Sequence, residues 1–407
     1  MTWKEPKMPD TSGGGLSKTR LGRMHETMAG HVEAGEMPGM VTLVSRRGEV
    51  HVDAIGKIAV DGAPMRRDTI FRITSMTKPV TAVAAMILVE ECKLRLDEPV
   101  DRWLPELADR RVLRAIDAPL DDTVPAKRAI TLRDLLTFRP GYGMIMVFPD
   151  RYPIQKAIAE AGFAPGPVFP SFPPDELMKR YGSLPLIHQP GERWLYSAGT
   201  EILGVLIARA AGTSFGEFLR QRIFATLGMK DTAFHVPDAK RDRFATSYTR
   251  DHATQKFKVF DDPVTGKFAH PPVFENGSAG LVSTADDFNA FAQMMLNGGR
   301  LGGERLLSRP SVELMTTDQI TPEQKQGSEL FFGDNRGWGM GLSVFTKRDD
   351  ISHTPGRFGW DGGYGTSWYS DPREQLTGIL LTQRMMDSQP PHAFVDFWTL
   401  AYQAIDD

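Results

Sequence analysis

The chain has 407 residues, of which 41% are hydrophobic and 24% charged, and its 48 lysines and arginines nearly balance 51 acidic residues to give a net charge of −3. This composition is typical of a globular protein of one or two domains, and without a sustained basic run it disfavours nucleic acid or an anionic membrane surface as a partner. The single cysteine, Cys92, excludes an internal disulfide and a cysteine-based metal cluster.

The first residues lack the apolar stretch of a secretory signal, and residues 1–15 are predicted to form a flexible tail that ends in three glycines. No later segment has the length and apolarity of a membrane span. We therefore expect a cytoplasmic protein with a small-molecule partner and no membrane partner. The sequence does not indicate an oligomeric state.

Apolar periodicity predicts mixed elements after the tail. The predicted helices and strands up to the middle of the chain lie at residues 16–34 (helix), 40–44, 50–54 and 69–73 (strands) and 80–88 (helix). From residue 104 to about 269 the pattern is mostly helical, with proline-rich loops at residues 164–167 and 172–174. This middle region is predicted to be an insertion that carries a lid.

Strand patterns return toward the C-terminus. The predicted elements there are helices at residues 285–296 and 393–404 and strands at residues 340–345, 366–370 and 376–382. Connections between successive strands are too short for helical crossovers, so the sheet is expected to be antiparallel. We predict an α+β fold with an α/β domain at residues 16–110 and 275–407 and a mainly helical insertion and lid at residues 111–274.

Ser75-Met76-Thr77-Lys78 lies between a predicted strand and a long apolar helix. Residues three apart share a helix face, so the Ser75 hydroxyl and the Lys78 amine are predicted to lie within reach of each other at the helix N-terminus. A serine beside a buried lysine is an activated nucleophile. The alternative is a solvated lysine near a helix start, because a pattern this short arises by chance about once in such a chain.

A second serine motif, Gly212-Thr213-Ser214-Phe215-Gly216, matches the Gly-x-Ser-x-Gly pattern of α/β-hydrolases. That motif needs a strand before the serine, whereas residues 198–211 have helical spacing. We interpret Gly212 as the end of one helix and Ser214 as the N-cap of the next, with Glu217 completing a capping box.

A serine–lysine pair also needs a proton relay and donors to an oxyanion, and two further segments contain suitable groups. Tyr196 directly precedes a predicted helix, where it either projects into a cleft or packs in the core. The glycine-rich run at residues 359–365 indicates either a close approach of the backbone to a ligand or a tight hairpin turn.

Taken in this order, the three motifs resemble the serine β-lactamase and penicillin-binding-protein superfamily, most closely the family VIII carboxylesterases with the class C β-lactamase fold. The resemblance covers nearly the whole chain. It includes residues 71–79, 96–100, 130–137, 190–191 with 196–197, 227–229, 283–287 and 365–368. It implies a β-lactamase/transpeptidase-like fold.

The resemblance implies that Ser75 is the acylated nucleophile and that Lys78 and Tyr196 share the general-base and general-acid roles. Desolvation is expected to lower the pKa of the lysine, and a cationic neighbour to favour the tyrosinate. The candidate oxyanion hole consists of the N–H groups of Ser75 and Gly363. The residues implied for substrate binding are Trp360, Asp361 and Gly362.

Two departures from class C β-lactamases bear on the substrate. Their third motif is Lys-Thr-Gly, whose cation helps to bind the β-lactam carboxylate, whereas this chain has Trp360-Asp361-Gly362, and Ala198 replaces an asparagine that contacts acyl side chains. Both changes favour neutral esters. The nine histidines form no metal-binding pattern, so no metal is expected, and His353 is interpreted as a structural or rim residue.

The function favoured by the sequence is a cofactor-independent serine hydrolase that cleaves short-acyl carboxylic esters through an acyl-enzyme. Weak turnover of β-lactams is a possible second activity. An acyltransferase and an amide or D-peptide hydrolase are open alternatives on the same fold. A non-catalytic binding protein is disfavoured, because all three motifs keep chemically competent residues.

Overall fold

A computed structural model describes residues 13–164, 166, 170–251, 253–387 and 391–407. Its strands in chain order are β1 Gly39–Arg46, β2 Glu49–Gly56, β3 Phe71–Arg72, β4 Arg111–Leu113, β5 Thr123–Pro125, β6 Ser247–Arg250, β7 Phe257–Asp261, β8 Val282–Ser283, β9 Arg300–Leu301, β10 Glu304–Arg305, β11 Arg336–Trp338, β12 Ser343–Phe345, β13 Phe358–Gly362, β14 Thr366–Asp371 and β15 Leu376–Thr382.

The α-helices are numbered in the same way. They are α1 Lys18–Glu33, α2 Thr77–Glu90, α3 Leu132–Leu136, α4 Pro153–Glu160, α5 Pro174–Ser183, α6 Ala198–Ala211, α7 Phe215–Leu219, α8 Ala225–Leu227, α9 Ala285–Leu296, α10 Arg309–Met315, α11 Pro322–Lys325, α12 Glu329–Phe332 and α13 Ala393–Gln403. A π-helical turn, Arg220–Phe224, joins α7 to α8.

The main sheet has seven strands in the order β11-β12-β13-β14-β15-β1-β2, and each neighbouring pair is antiparallel. Short connections produce this topology, as the sequence predicts. The turn between β1 and β2 consists of Arg47 and Gly48, with φ angles of 48° and 82° that suit a two-residue hairpin. The predicted α+β class with an antiparallel sheet flanked by helices is confirmed.

Helices cover both faces of this sheet. On β1, Met40 and Val44 pack with α1 and α13 on one face, while Val41 and Leu43 face the core that contains α2. Every residue of β1 is buried, which explains its nearly continuous apolar sequence. Helix α2 therefore lies inside the molecule, with its residues from Thr77 to Leu88 buried.

Two strand predictions differ from the structure. The strand predicted at residues 340–345 begins at Ser343, because Gly341 has a φ of 74° and a Cβ there would lie 2.7 Å from the Ala82 Cβ. The strand predicted at residues 69–73 is reduced to β3, which pairs with β8 outside the main sheet. The glycine-rich run is partly a strand, since β13 ends at Gly362.

The middle of the chain contains strands as well as helices. Between residues 111 and 274 the structure has α3 to α8, and also the antiparallel pairs β4–β5 and β6–β7. Residues 165 and 167–169 of the predicted lid lie outside the described residues, as do residues 1–12 of the predicted tail. At the end of that tail, Arg46 Nη1 donates to the carbonyls of Gly14 and Gly15 at 2.9 and 3.2 Å.

In the part of the chain that the structure describes, no single helix has both the length and the apolarity to cross a membrane. One bent pair, Ala198–Ala211 with Phe215–Leu227, meets those two criteria jointly.

Candidate active site

Ser75 lies in a single 3-10 turn, Thr74–Met76, between β3 and the N-terminus of α2. The hairpin of β13 and β14 holds this turn, because Thr366 Oγ1 donates to the Ile73 carbonyl at 3.2 Å. Thr74 has a φ of 41°, in the left-handed region that β-branched residues rarely adopt. Backbone strain of this kind concentrates at functional sites, and here it directly precedes the candidate nucleophile.

Lys78 lies one residue into α2 and is 1% exposed. Its Nζ donates to Ser75 Oγ at 3.0 Å and to the Ser278 carbonyl at 2.8 Å. Burial lowers the pKa of Lys78 from 10.5 to about 7, against the opposing effect of the negative charge on Glu201. The amine is therefore substantially neutral at physiological pH and able to accept a proton.

Tyr196 precedes α6 and reaches the same serine. Its hydroxyl donates to Ser75 Oγ at 2.9 Å and accepts from Trp360 Nε1 at 2.8 Å. The next residue, Ser197, has a φ of 86°, a second strained backbone position beside a candidate catalytic residue.

The environment of Tyr196 is aromatic, with the rings of Trp194, Phe331 and Trp360 centred 5.7, 4.8 and 5.7 Å from its own ring. Desolvation raises the pKa of Tyr196 to about 12, against the hydrogen bonds with Ser75 and Trp360. The phenol is therefore protonated at neutral pH. The tyrosinate expected from the sequence is wrong, because removal from water outweighs its polar contacts.

The third motif forms the end of β13 and the turn after it. Trp360 is 5% exposed, while the Asp361 carboxylate accepts hydrogen bonds from Ser367 Oγ at 2.6 Å and Tyr369 Oη at 3.1 Å. Gly362 is buried, and a Cβ there would lie 2.3 Å from the Ile73 carbonyl oxygen. Gly362 thus allows β13 to approach the Ser75 turn.

Gly363 differs from Gly362 in its surroundings. It is exposed, and a Cβ added to it would have no heavy atom within 4 Å. Strand β12 pairs with β13 at Phe358 and Gly359, so the later residues of β13 have a strand neighbour on one side alone. The backbone around Gly363 therefore borders the space beside Ser75.

A pocket of about 450 Å³ brings the predicted residues together. Its lining includes Ser75, Lys78, Tyr196, Trp360, Asp361 and Gly363, whereas Gly362 lies behind it. Besides Trp360, the larger apolar side chains of the lining are Met144, Pro170, Leu330, Phe331, Met385 and Met386. Leu330 is 81% exposed, so the pocket is bordered by an apolar surface that faces solvent.

Sequence reasoning missed three polar residues of this pocket, Glu201, Ser278 and Arg336. Glu201 is a single acidic residue in an apolar helix, which is a recognisable signal, although its partner Lys78 is far away in the sequence. Arg336 comes from β11, and its guanidinium lies over the Phe345 ring, 4.7 Å from the centroid. A cation is therefore present near the third motif, on a different strand from the lysine of β-lactamases.

The competing serine lies outside this pocket. Ser214 is the exposed N-cap of α7, and its hydroxyl accepts from the Glu217 N–H at 3.2 Å, so the predicted cap is confirmed. The predicted capping box is wrong, because the Glu217 carboxylate is bound by Arg220 and Gln221 instead.

His353 also lies outside the lining of the pocket. Its ring stacks on Phe345 at 4.4 Å, and its Nδ1 is 2.7 Å from Asp349, contacts that fit a structural residue. Among the described residues, no group of three or more His, Cys, Asp or Glu side chains is placed to hold a metal ion.

Comparisons with known proteins give matches along most of the chain. The family model described as Beta-lactamase matches residues 24–395. Protein Rv1367c of Mycobacterium tuberculosis is 41% identical over 87% of this chain and 88% of its own length. Esterase EstB of Burkholderia gladioli is 31% identical over 84% of this chain and 85% of its own length.

Solved structures share the fold. The structure of EstCE1, described as a hydrolase with promiscuous acyltransferase activity, has a TM-score of 0.79 at 23% sequence identity. The match covers 94% of this chain and 99% of EstCE1. The predicted β-lactamase/transpeptidase-like fold is thereby confirmed.

Proposed function

This chain belongs to the beta-lactamase family as a serine hydrolase of the carboxylesterase type, and we propose that it cleaves neutral, short-acyl carboxylic esters through an acyl-enzyme on Ser75. The observation that carries the proposal is the position of Ser75 Oγ, which is hydrogen-bonded by both Lys78 Nζ and Tyr196 Oη inside one pocket. A hydroxyl flanked by a base and a proton donor is equipped for nucleophilic acyl transfer.

Acylation begins when neutral Lys78 accepts the Ser75 proton and Oγ attacks the ester carbonyl carbon. The N–H groups of Ser75 and Gly363 stabilise the oxyanion that develops. When the tetrahedral intermediate collapses, the alkoxide leaves with the proton of the Tyr196 phenol. The Lys78 ammonium then returns a proton to the Tyr196 phenolate; both groups contact Ser75 Oγ in the free site.

Deacylation repeats the same transfers with water as the nucleophile. Lys78 accepts a proton from the attacking water, and Ser75 Oγ leaves the acyl carbon with a proton from Tyr196. The products are a carboxylic acid and the regenerated hydroxyl. The Trp360 Nε1–H bond to the Tyr196 hydroxyl orients the phenol through both half-reactions.

Charge supports neutral substrates. The Asp361 carboxylate lines the pocket and accepts hydrogen bonds from two hydroxyls, so an acidic side chain lies where a ligand would bind. The Arg336 guanidinium is packed on Phe345. A β-lactam carboxylate would meet Asp361 where β-lactamases present a lysine, which disfavours its binding.

The first test compares the hydrolysis of p-nitrophenyl butyrate and a chromogenic cephalosporin by wild type, Ser75→Ala and Ser214→Ala. Ser214→Ala is the matched control, because it removes a serine from the other motif and leaves the pocket intact. We expect Ser75→Ala to lose about 10⁴-fold or more in kcat for the ester and Ser214→Ala to keep wild-type turnover. Fast cephalosporin cleavage with slow ester cleavage would contradict the substrate class.

Acyl transfer to an alcohol is a second candidate, favoured by the apolar lining around Leu330 and Phe331, which suits an apolar acceptor better than water. EstCE1, with the same fold, is described with this activity. Adding a primary alcohol to the ester assay separates the two reactions. Ester product that grows with alcohol concentration supports transfer, and acid as the sole product supports hydrolysis.

A further inference from the structure

Glu201 is a buried carboxyl group that the mechanism above does not use. It lies in α6, five residues after Tyr196, is 8% exposed and lines the same pocket as Lys78. Burying a carboxylate is costly unless it is hydrogen-bonded or paired with a cation. A carboxyl group buried in this helix therefore needs hydrogen-bond donors or a cation beside it, and the structure contains both.

Two hydroxyl groups bind the Glu201 carboxylate. Tyr181 Oη donates to Oε2 at 2.8 Å, and Ser197 Oγ makes a longer bond to Oε1 at 3.5 Å. Ser197 is the residue whose strained backbone follows Tyr196, so this bond connects Glu201 to the turn that presents the phenol.

A second set of bonds connects the same turn to the lysine. Ser278 Oγ donates to the Ser197 carbonyl at 2.8 Å, and the Ser278 carbonyl accepts from Lys78 Nζ at 2.8 Å. The network thus runs from Lys78 through Ser278 and Ser197 to Glu201. It joins the base and the turn beside the acid, which come from different parts of the chain.

Electrostatics connect the two ends directly. Burial raises the pKa of Glu201, and the Tyr181 hydrogen bond and the charge of Lys78 oppose that rise. In turn, the Glu201 anion raises the pKa of Lys78 above the value that burial alone would give. Tyr181 is itself kept neutral, since burial raises its pKa well above 10.

The other charged groups on helices packed against α6 are paired elsewhere. In α3, Asp134 binds Arg128 and Arg133 binds Asp97, while Glu217 of α7 binds Arg220. Glu90 of α2 accepts hydrogen bonds from the Ser308 N–H and the Ser311 hydroxyl. The titratable groups that face Glu201 and Lys78 are accordingly each other, Tyr181 and Tyr196.

We propose that Glu201 is a positioning residue, whose carboxylate sets the charge balance of Lys78 and holds the Ser197 turn in the orientation that directs Tyr196 at Ser75. This role rests on the proposed function of Ser75, Lys78 and Tyr196. Glu201, which lies outside the three motifs, would then control the pH range in which Ser75 is activated.

The Glu201→Gln variant keeps the size and a hydrogen-bond acceptor but removes the anion. Without it, less opposes the desolvation of Lys78, so the pKa of the lysine falls further and its neutral form persists at lower pH. We expect the midpoint of the rise in Ser75 reactivity with pH to move down by about one pH unit, which is the size of pKa shift that one nearby charge produces. At pH values below both midpoints, the labelling rate of Glu201→Gln, divided by its plateau rate, is then about tenfold higher than the same ratio in wild type.

The test measures the rate at which a neutral fluorophosphonate labels Ser75 between pH 5 and 9, beside ester hydrolysis, in wild type, Glu201→Gln, Glu201→Asp and Glu217→Gln. Glu201→Asp keeps the charge, and Glu217→Gln removes an exposed carboxylate from the neighbouring helix. Both controls are expected to keep the wild-type midpoint. A general structural effect would lower the plateau and leave the midpoint in place.

An unchanged midpoint in Glu201→Gln, or an equal shift in Glu201→Asp, would overturn the role of Glu201. Normal labelling of Ser75 without ester turnover would instead contradict the proposed esterase function and leave the labelling test of Glu201 intact. The two failures are therefore distinguishable in one set of samples.

Discussion

Replacing Lys78 with methionine should remove activity and at the same time change how stability depends on pH. Lys78 is buried, and its pKa is about 7 in the folded protein against 10.5 without burial. Between these two pH values the unfolded chain binds one proton more than the folded protein does. Folding stability therefore rises with pH through this window, and the contribution is missing from Lys78→Met.

The size of the effect follows from the proton difference. At pH 7 the folded and unfolded states differ by about half a proton at Lys78, and at pH 9 by nearly one. With about 1.36 kcal/mol per proton and pH unit, the free energy of unfolding of wild type rises by about 2 kcal/mol from pH 7 to 9 because of Lys78. The loss of the donor to the Ser278 carbonyl costs about 1–3 kcal/mol, but this cost is the same at each pH.

The assay is urea unfolding of wild type and Lys78→Met at pH 7, 8 and 9, followed by circular dichroism. The informative quantity is the difference between the two proteins at each pH, because the contributions of groups that do not interact with Lys78 cancel. We expect this difference to change by about 2 kcal/mol in favour of wild type as the pH rises. A difference that does not change with pH would mean that the pKa of Lys78 is not lowered in the folded protein. It would contradict the role of Lys78 as a neutral base.

Three further predictions concern the pocket. First, kcat/KM for p-nitrophenyl butyrate should rise with pH through about 7, the pKa of Lys78. It should not fall before pH 10, because the pKa of Tyr196 is about 12. A fall in kcat/KM near pH 8 would contradict the protonated phenol. Second, Trp360→Phe removes the hydrogen-bond donor to Tyr196 and should lower kcat by about 3–10-fold with little change in KM. The control is Trp368→Phe, which removes an Nε1–H that donates to Ser370 and should leave kcat unchanged. Steady-state kinetics of both variants test this prediction. Third, Gly362→Ala should cost about 1–3 kcal/mol of stability through its clash with the Ser75 turn, whereas Gly363→Ala should unfold like wild type, and equal melting temperatures for the two variants would refute the close approach.

The proximity of Ser75 and Lys78 was predictable because their relation is local. Ser75 and Lys78 are three residues apart at the start of an apolar helix, so helix geometry alone places them together, and the structure puts their polar atoms 3.0 Å apart. The antiparallel sheet was predictable for a similar reason, since strand patterns with short connections allow few arrangements. In both cases neighbouring residues contain the information.

The third motif shows how far local reading reaches. Glycine density indicated either a close approach of the backbone to a ligand or a tight hairpin turn at residues 359–365. Residues 363–365 do form the turn between β13 and β14, but Gly359 lies within β13, where a Cβ would be 2.0 Å from the Trp368 carbonyl oxygen on β14. The glycine marks a close approach between strands rather than a turn. That distinction depends on a partner strand that the residues themselves do not identify.

Glu201 and Tyr196 show the limits of sequence for electrostatics. The fall in the pKa of Lys78 was expected from burial, but the rise in the pKa of Tyr196 depends on burial beside Phe331 and Trp360, which are distant from it in the sequence. The hydrogen bond from Tyr181 to Glu201 likewise joins α5 to α6, two helices whose sequences share no motif. Such effects arise from three-dimensional packing, and no spacing in the chain encodes them.

The most direct test of the account is to trap the acyl-enzyme and locate it. Wild type, Ser75→Ala and Ser214→Ala are mixed with p-nitrophenyl butyrate, quenched in acid within milliseconds, digested and analysed by mass spectrometry. If Ser75 is the nucleophile, the peptide that contains it carries a butyryl group in wild type and Ser214→Ala and carries none in Ser75→Ala. A butyryl group on the peptide that contains Ser214, or rapid turnover by Ser75→Ala, would contradict this assignment.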